Sequence, residues 1–217
     1  MGSSSERRQG SDGRPIVAFD FDGTLTFRDS FMAYLAWRAG CGGFAWGLVR
    51  MLPAALAWLV HRDRARLKAA AVHAFLRGVL RRDLEQSCAK FAETALGRRL
   101  VRPDAERCWA EWREKGAILV IVTASPGEIV APFAERLAAD GLVATRLGYD
   151  AGDRVAGQLE GQNCRGQEKV ERLRARFGPD VRLEAAYGDS SGDKEMLAIA
   201  RTPGYRVFRE RRERSSV

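Results

Sequence analysis

The sequence predicts an α/β fold, a parallel sheet flanked by helices, and three observations lead there. Short apolar runs suited to buried strands occur at 16–21, 117–122, 143–148 and 183–187, with a weaker one at 205–208. Helix-compatible stretches separate them at 104–115, 128–139, 167–177 and 194–201, and such alternation argues for parallel strands joined by right-handed crossovers. Residues 30 to about 100 break the alternation, being almost entirely helix-compatible, and read as a helical insert above the carboxyl end of the first strand. At 217 residues with 46% hydrophobic and 29% charged content, the chain fits one domain with an insert and a real core.

The elements follow in order. Residues 1–14 are rich in Ser, Gly and Arg without an apolar stretch, and are expected to form a disordered leader and not a signal peptide. The first strand runs into Asp20-Phe21-Asp22-Gly23-Thr24-Leu25-Thr26, which hands two carboxylates to a glycine turn. Positions i and i+2 of a strand point the same way. Asp20 and Asp22 can therefore converge at the strand's carboxyl end, where open α/β sheets bind ligands. Adjacent carboxylates repel unless a cation neutralises them, and hard oxygen donors suit magnesium. The plainer alternative is a solvated Asp-Gly turn.

Within the insert, 42–60 is nearly continuous apolar sequence interrupted by Arg50 and Pro53, which is borderline for a membrane span. A single crossing would put Asp20 and the later acidic residues on opposite faces, and the charged stretch 61–68 offers no return span. The segment therefore packs in the fold or lies on a membrane surface, and both readings stay open. It is expected to supply an apolar wall over the site, with Trp46 and Leu56 among its side chains. Residues 67–80 form an amphipathic helix with Leu67, Ala70, Ala71, Ala74, Phe75 and Leu80 on one side.

Beyond the insert, Gly116, Gly141, Gly178-Pro179 and Pro203-Gly204 read as helix ends and turns. Val122-Thr123-Ala124-Ser125 is a strand ending in hydroxyls. Thr123 suits a phosphate oxygen, while Ser125 before Pro126 has the pattern of a helix N-cap. Residues 149–159 form a hairpin-like excursion. Lys169 falls in the first turn of its helix, where it opposes the helix dipole unless an anion lies nearby. Gly188-Asp189-Ser190-Ser191-Gly192-Asp193 is a strand end, turn and helix start that carries two more carboxylates.

Composition narrows the partners. The net charge is +8, but 31 of the 36 basic residues are arginines, dispersed except in the basic tail 209–217, which Glu210 and Glu213 dilute. A genomic bias explains this skew as readily as a binding surface, and nucleic acid is not expected. Cys41, Cys88, Cys108 and Cys164 show no paired spacing and read as reduced cysteines of a cytoplasmic protein. His61 and His73 are too isolated for a zinc site.

Taken together, the motifs around Asp20, Thr123, Lys169 and Asp189 resemble, in order, the four motifs of the haloacid dehalogenase-like phosphohydrolases. The resemblance covers 15–208 and is nearest to the phosphoserine-phosphatase-like branch, which has a helical cap between the first and second motifs. It implies a Rossmann-like core at 15–29 and 101–208 and an all-helical cap at 30–100. It implies that Asp20 is the nucleophile and that Asp22 is the general acid and base. Thr123, Ala124 and Lys169 would bind the phosphoryl group. Asp20, Asp22, Asp189 and Asp193 would hold magnesium, Asp193 through a water or through Lys169. Asp29 stands nine residues after the nucleophile, where phosphoserine phosphatases carry a substrate-binding Glu, and Gly192 stands where they often carry Asn. Both departures count against phosphoserine without excluding it. The stretches 121–126 and 164–170 are similar to phosphatidylglycerophosphate phosphatases, for which an apolar cap and a place at the inner face of the membrane would suit. A non-catalytic phosphate-binding or regulatory protein is the alternative of another class.

Overall fold

The structure, a computed structural model, describes residues 13–61 and 64–211. The expected leader thus lies outside the described residues except for Gly13 and Arg14, as does the tail beyond Arg211, and the side chain of His61 is likewise outside them. Arg14 is tied down, its guanidinium donating to the carbonyls of Gly116 (2.8 Å) and Ala117 (3.2 Å).

The chain runs β1 (Ile16–Phe19), α1 (Ser30–His61), α2 (Arg64–Leu76), α3 (Arg81–Glu93), α4 (Ala95–Leu100), α5 (Pro103–Glu114), β2 (Ile118–Pro126), α6 (Gly127–Arg136), β3 (Gly141–Tyr149), β4 (Val155–Glu160), α7 (Gln167–Phe177), β5 (Leu183–Gly188), a 3₁₀ turn (Ser191–Asp193), α8 (Lys194–Ala198) and β6 (Ala200–Tyr205). Six strands form one sheet in the order β4-β3-β2-β1-β5-β6, parallel except for β4, which returns antiparallel to β3. This is the expected Rossmann-like α/β core. The central strands read as apolar runs because both sheet faces are covered. Val17, Phe19, Leu119 and Ile121 enter one core cluster, with residues of α3, α5 and α6, while Ile16, Ala18, Val120 and Val122 enter the other, with Leu173 and Met196. Period-two alternation thus assigns each residue its face.

Sequence order reverses at β1, which has β2 on one side and β5 on the other. The crevice at its carboxyl end is the topological switch point of the sheet. All the helices of 30–100 leave and re-enter the core beside this point. Phe27 N donates to Leu100 O (3.0 Å) and Arg102 N to Leu25 O (2.8 Å), so the two ends of the segment are stitched together.

Inside that segment, α1 is bent at Gly40, whose φ of 65° and ψ of 174° are not helical. A left-handed φ of this kind is natural to glycine and strained for other residues. The first limb buries Phe31, Ala33, Tyr34 and Leu35. The second limb, with Pro53 inside it, carries the apolar run. No helix among the described residues is long and apolar enough to cross a membrane.

Several boundaries differ from expectation. The last strand is Ala200–Tyr205 and not 205–208, so α8 stops at Ala198 and Pro203-Gly204 lies within a strand. β6 is at the sheet edge, where a residue without an N–H costs no ladder bond on the outer side. Gly141 opens β3 instead of ending a helix. α2 ends at Leu76, before Gly78 with its φ of 80°. Its deepest side chains are Ala71, Val72 and Leu76, a stripe rotated from the expected one. All four cysteines are free.

Phe133 of α6 joins the parts of this architecture. It is fully buried, with ring centroids 5.4 Å from Phe21 beside the acidic turn and 6.2 Å from Phe91 of α3. Phe133→Ala should therefore cost about 3–5 kcal/mol, the range for a large aromatic removed from a packed core. Urea unfolding measures this, and a loss under about 1 kcal/mol would show that the cluster does not hold these layers together.

Candidate active site

Three strand ends and one helix build the site. Asp20 follows β1, Thr123-Ala124-Ser125 ends β2, Asp189 follows β5, and Lys169 comes from the first turn of α7. Lys169 is buried and its ammonium donates to Asp20 Oδ1 (2.6 Å), Asp193 Oδ1 (2.6 Å) and the Val122 carbonyl (2.7 Å). The anion that a lysine in a first helical turn requires is thus supplied twice. Burial opposes the charge on Lys169, but Asp20 and Asp193 together hold its pKa above the ordinary value.

Each carboxylate has a distinct environment. Asp193 is oriented on both sides: Oδ2 accepts from Asp189 N (3.3 Å), Ser190 N (2.9 Å) and Ser190 Oγ (2.8 Å) while Oδ1 takes Lys169. Burial works against its charge, yet Lys169 and the Ser190 donors keep its pKa below the usual carboxylate value. Burial pushes Asp20 up to about 7, opposed by Lys169 and reinforced by Asp193 and Asp22. Thr24 Oγ1 donates to its second oxygen at 3.2 Å. Burial and the nearby Asp29 raise Asp22 to about 6, against hydrogen bonds from Ser125 and Ser30. Asp189 is half-buried, and desolvation with Asp193 beside it raises its pKa.

The predicted acidic residues therefore divide into two groups. Ligand atoms of Asp20, Asp189 and Asp193 lie within 4.8 Å of one another. The Asp22 carboxylate is held elsewhere, by Ser30 N (2.7 Å) and Ser125 Oγ (2.5 Å). Three carboxylates against one ammonium leave excess negative charge in a site of hard oxygen donors. That donor set fits a small divalent cation such as magnesium. Gly23 makes the approach possible: its φ is 89°, and a Cβ there would come within 2.3 Å of Asp189 Oδ2.

Asp20, Asp22, Ser125, Lys169, Asp189 and Asp193 line one cavity of about 730 Å³, together with Thr123, Ala124 and Asp29. Thr123 is buried, and its Oγ1 accepts from Ser125 N (3.0 Å). Asp29 is exposed and accepts from Met32 N (2.8 Å) at the start of α1. Ser125 was expected to cap α6. Instead β2 continues to Pro126, no side chain caps that helix, and the hydroxyl serves Asp22. The apolar wall comes from the second limb of α1, but through Leu48, Met51, Leu52 and Ala55 and not through Trp46 or Leu56. A larger cleft of about 990 Å³, between α3, α6 and β3, includes neither Lys169 nor these aspartates.

Lys68 is a site residue that sequence reasoning missed. It extends from α2 into the cavity, where its ammonium donates to the Ala124 carbonyl and lies 3.5 Å from Asn163 Oδ1. Burial lowers its pKa, against the fields of Asp22, Asp29 and Asp20. A lone lysine on an amphipathic helix gives no local signal. It stands at the end of the charged stretch 61–68, where nothing in the sequence sets it apart from its neighbours.

The comparisons agree with this geometry. A model of the haloacid dehalogenase-like hydrolase family matches residues 17–198. Protein CicA of Caulobacter vibrioides is 57% identical over 194 residues, which cover 89% of this chain and 86% of that protein. Among solved structures, a Bordetella pertussis Tohama I protein of unknown function superposes with a TM-score of 0.69 at 22% identity, over 88% of both chains. A substrate-bound phosphoserine phosphatase superposes with a TM-score of 0.60 at 20% identity, over 88% of this chain and 85% of the other. At these identities the two structures speak for the fold, while the sequence match spans the four motifs from Asp20 to Asp193. The chain belongs to the haloacid dehalogenase-like hydrolase family.

Proposed function

We propose that this chain is a magnesium-dependent phosphomonoester hydrolase that works through an aspartyl-phosphate at Asp20. The observation that carries the reading is the buried ammonium of Lys169, fixed between Asp20 and Asp193 at the floor of an open cavity. Phosphoryl transfer needs positioning and charge neutralisation above all, and this arrangement supplies both. In this reading residues 15–29 and 101–208 form the catalytic core and 30–100 the cap.

An Asp20 oxygen attacks phosphorus in line, and the bond to the leaving oxygen breaks. Asp22 gives that oxygen a proton, which its raised pKa of about 6 makes available near neutrality. It then takes a proton from the water that attacks phosphorus; the bond from phosphorus to the Asp20 oxygen breaks, inorganic phosphate leaves, and Asp20 and Asp22 return to their starting states. Ser30 N and Ser125 Oγ hold Asp22 in place for both transfers. Lys169, Thr123 and Ala124 hold the phosphoryl oxygens. Asp20 and Asp189, with Asp193 beside them, would hold magnesium, which would neutralise charge on the phosphoryl group, while the Asp22 carboxylate stays outside this cluster.

For the leaving group we favour a lipid phosphate, phosphatidylglycerophosphate or a relative, met at the cytoplasmic face of a membrane. Support comes from Leu48, Met51, Leu52 and Ala55 along the cavity and from the basic Lys68 among the acidic residues. Phosphoserine is the second reading, favoured by the fold likeness to a substrate-bound phosphoserine phosphatase. A non-catalytic role is disfavoured by the complete set of Asp20, Asp22, Lys169, Asp189 and Asp193.

Asp20→Asn is isosteric and should keep the fold while lowering hydrolysis of p-nitrophenyl phosphate more than about 10³-fold. Beryllium fluoride should load the wild type alone. Substantial turnover by the purified variant would sink the aspartyl-phosphate. Asp189→Ala should weaken magnesium binding about tenfold or more by calorimetry, and a chelator should inactivate the wild type reversibly. Full activity after exhaustive metal removal would exclude the metal. Burying about 60 Å² of acyl chain at about 25 cal/mol per Å² is worth about tenfold in kcat/KM. Dispersed phosphatidylglycerophosphate should therefore exceed phosphoserine by at least that factor, and the opposite order would favour the second reading.

A further inference from the structure

The second limb of α1 exposes an apolar ridge, of which the proposed reaction uses only Leu48 and Leu52. Trp46 is 65% exposed, Val49 51%, Leu52 55% and Leu56 63%, and Leu48 is 41% exposed beside them. Trp46, Val49, Leu52 and Leu56 are spaced by three or four residues, so they share one side of the helix, a strip about 15 Å long. A contiguous apolar surface of this size marks a contact with something apolar. Its inner side is already packed, since a Cβ on Gly47 would meet the Phe75 ring at 2.1 Å and the tilted Phe44 and Phe75 rings lie 5.6 Å apart between centroids.

Two further observations choose the occupant. From Phe31 to His61 the sequence contains no acidic residue, and of its two arginines the exposed Arg50 lies on the second limb and Arg38 just before the bend. An acid-free, apolar and basic helix suits an anionic lipid surface. Leu48 and Leu52 belong both to the exposed ridge and to the wall of the cavity that holds Asp20. The ridge therefore continues into the mouth of the catalytic cavity.

We propose that this ridge docks on an anionic bilayer, so that the cavity opens at the lipid surface and receives a phosphomonoester whose chains stay in the membrane. The limb lies along the surface and does not cross it, in keeping with the lack of a sufficiently long apolar helix among the described residues. The inference deepens the lipid-phosphate reading and rests on it for its purpose, but docking is measured without turnover.

The test uses the full chain with vesicles of phosphatidylcholine alone or mixed with phosphatidylglycerol, read by flotation and by the tryptophan emission shift. Wild type should bind the mixed vesicles and bind phosphatidylcholine alone weakly. The Trp46→Ser/Leu56→Ser double variant should bind at least about tenfold more weakly, with unchanged circular dichroism and unchanged hydrolysis of p-nitrophenyl phosphate. Neither residue lines the cavity, so loss of vesicle binding with retained turnover isolates docking from catalysis. Wild type that stays off both vesicles overturns the proposal and leaves the phosphatase reading standing. Vesicle binding that the double variant retains also overturns it, placing the contact elsewhere. A wild-type dimer by light scattering that the double variant loses, without vesicle binding, assigns the ridge to a second copy of the chain instead.

Discussion

One buried ammonium organises this molecule. Lys169 ties the ends of β1 and β2 and the turn after β5 to the start of α7, through Asp20, the Val122 carbonyl and Asp193. A charge taken out of water is costly unless its partners are nearly ideal. Here it has three acceptors at 2.6–2.7 Å, and one of its carboxylates is itself fixed by Ser190. Without the lysine, Asp20 and Asp193 would face each other in a site that disfavours either charge. The same contact therefore holds the sheet's switch point closed and keeps the carboxylates in position. Structure and chemistry share one set of atoms at this point.

Much of this was legible from the chain because local patterns encode it. The strands β1, β2 and β5 were visible as apolar runs, since both faces of the sheet are buried. The acidic and hydroxyl residues at their ends were visible because strand ends converge in any parallel sheet. The edge strand was not legible: Ala200-Arg201-Thr202-Pro203-Gly204-Tyr205 has neither alternation nor strand propensity, and only pairing with β5 makes it a strand. Ser125 was misjudged for a related reason. Its sequence context matches a helix cap, but an extra extended residue carries the hydroxyl to Asp22. Lys68 and Asn163 meet across 95 positions, and no local pattern reports a contact of that span.

The two classes of site residue differ in origin. Asp20, Thr123, Lys169 and Asp189 come from sheet ends and one helix start, and the short bonds of Lys169 fix it and Asp20 in place. Lys68, Leu48, Met51, Leu52 and Ala55 come from α1 and α2, which pack on each other, with α2 also against the edge strand β4. Precision is concentrated where phosphorus would react, and shape where a leaving group would lie. Cavity size does not reveal this division, because the larger cleft includes neither Lys169 nor the clustered aspartates.

The break at Gly40 separates these two demands within a single helix. Ser30, at the head of the first limb, gives its N–H to Asp22, so that limb cannot shift without disturbing the group we propose as acid and base. The second limb starts after a residue with φ 65° and has no such obligation. Its direction is set by one backbone joint and by packing on Phe75. Over evolutionary time this limb is free to lengthen, tilt or change composition while Asp22 keeps its place. Substrate range can then diverge among related chains by revision of the stretch beyond position 40, with the reaction itself conserved.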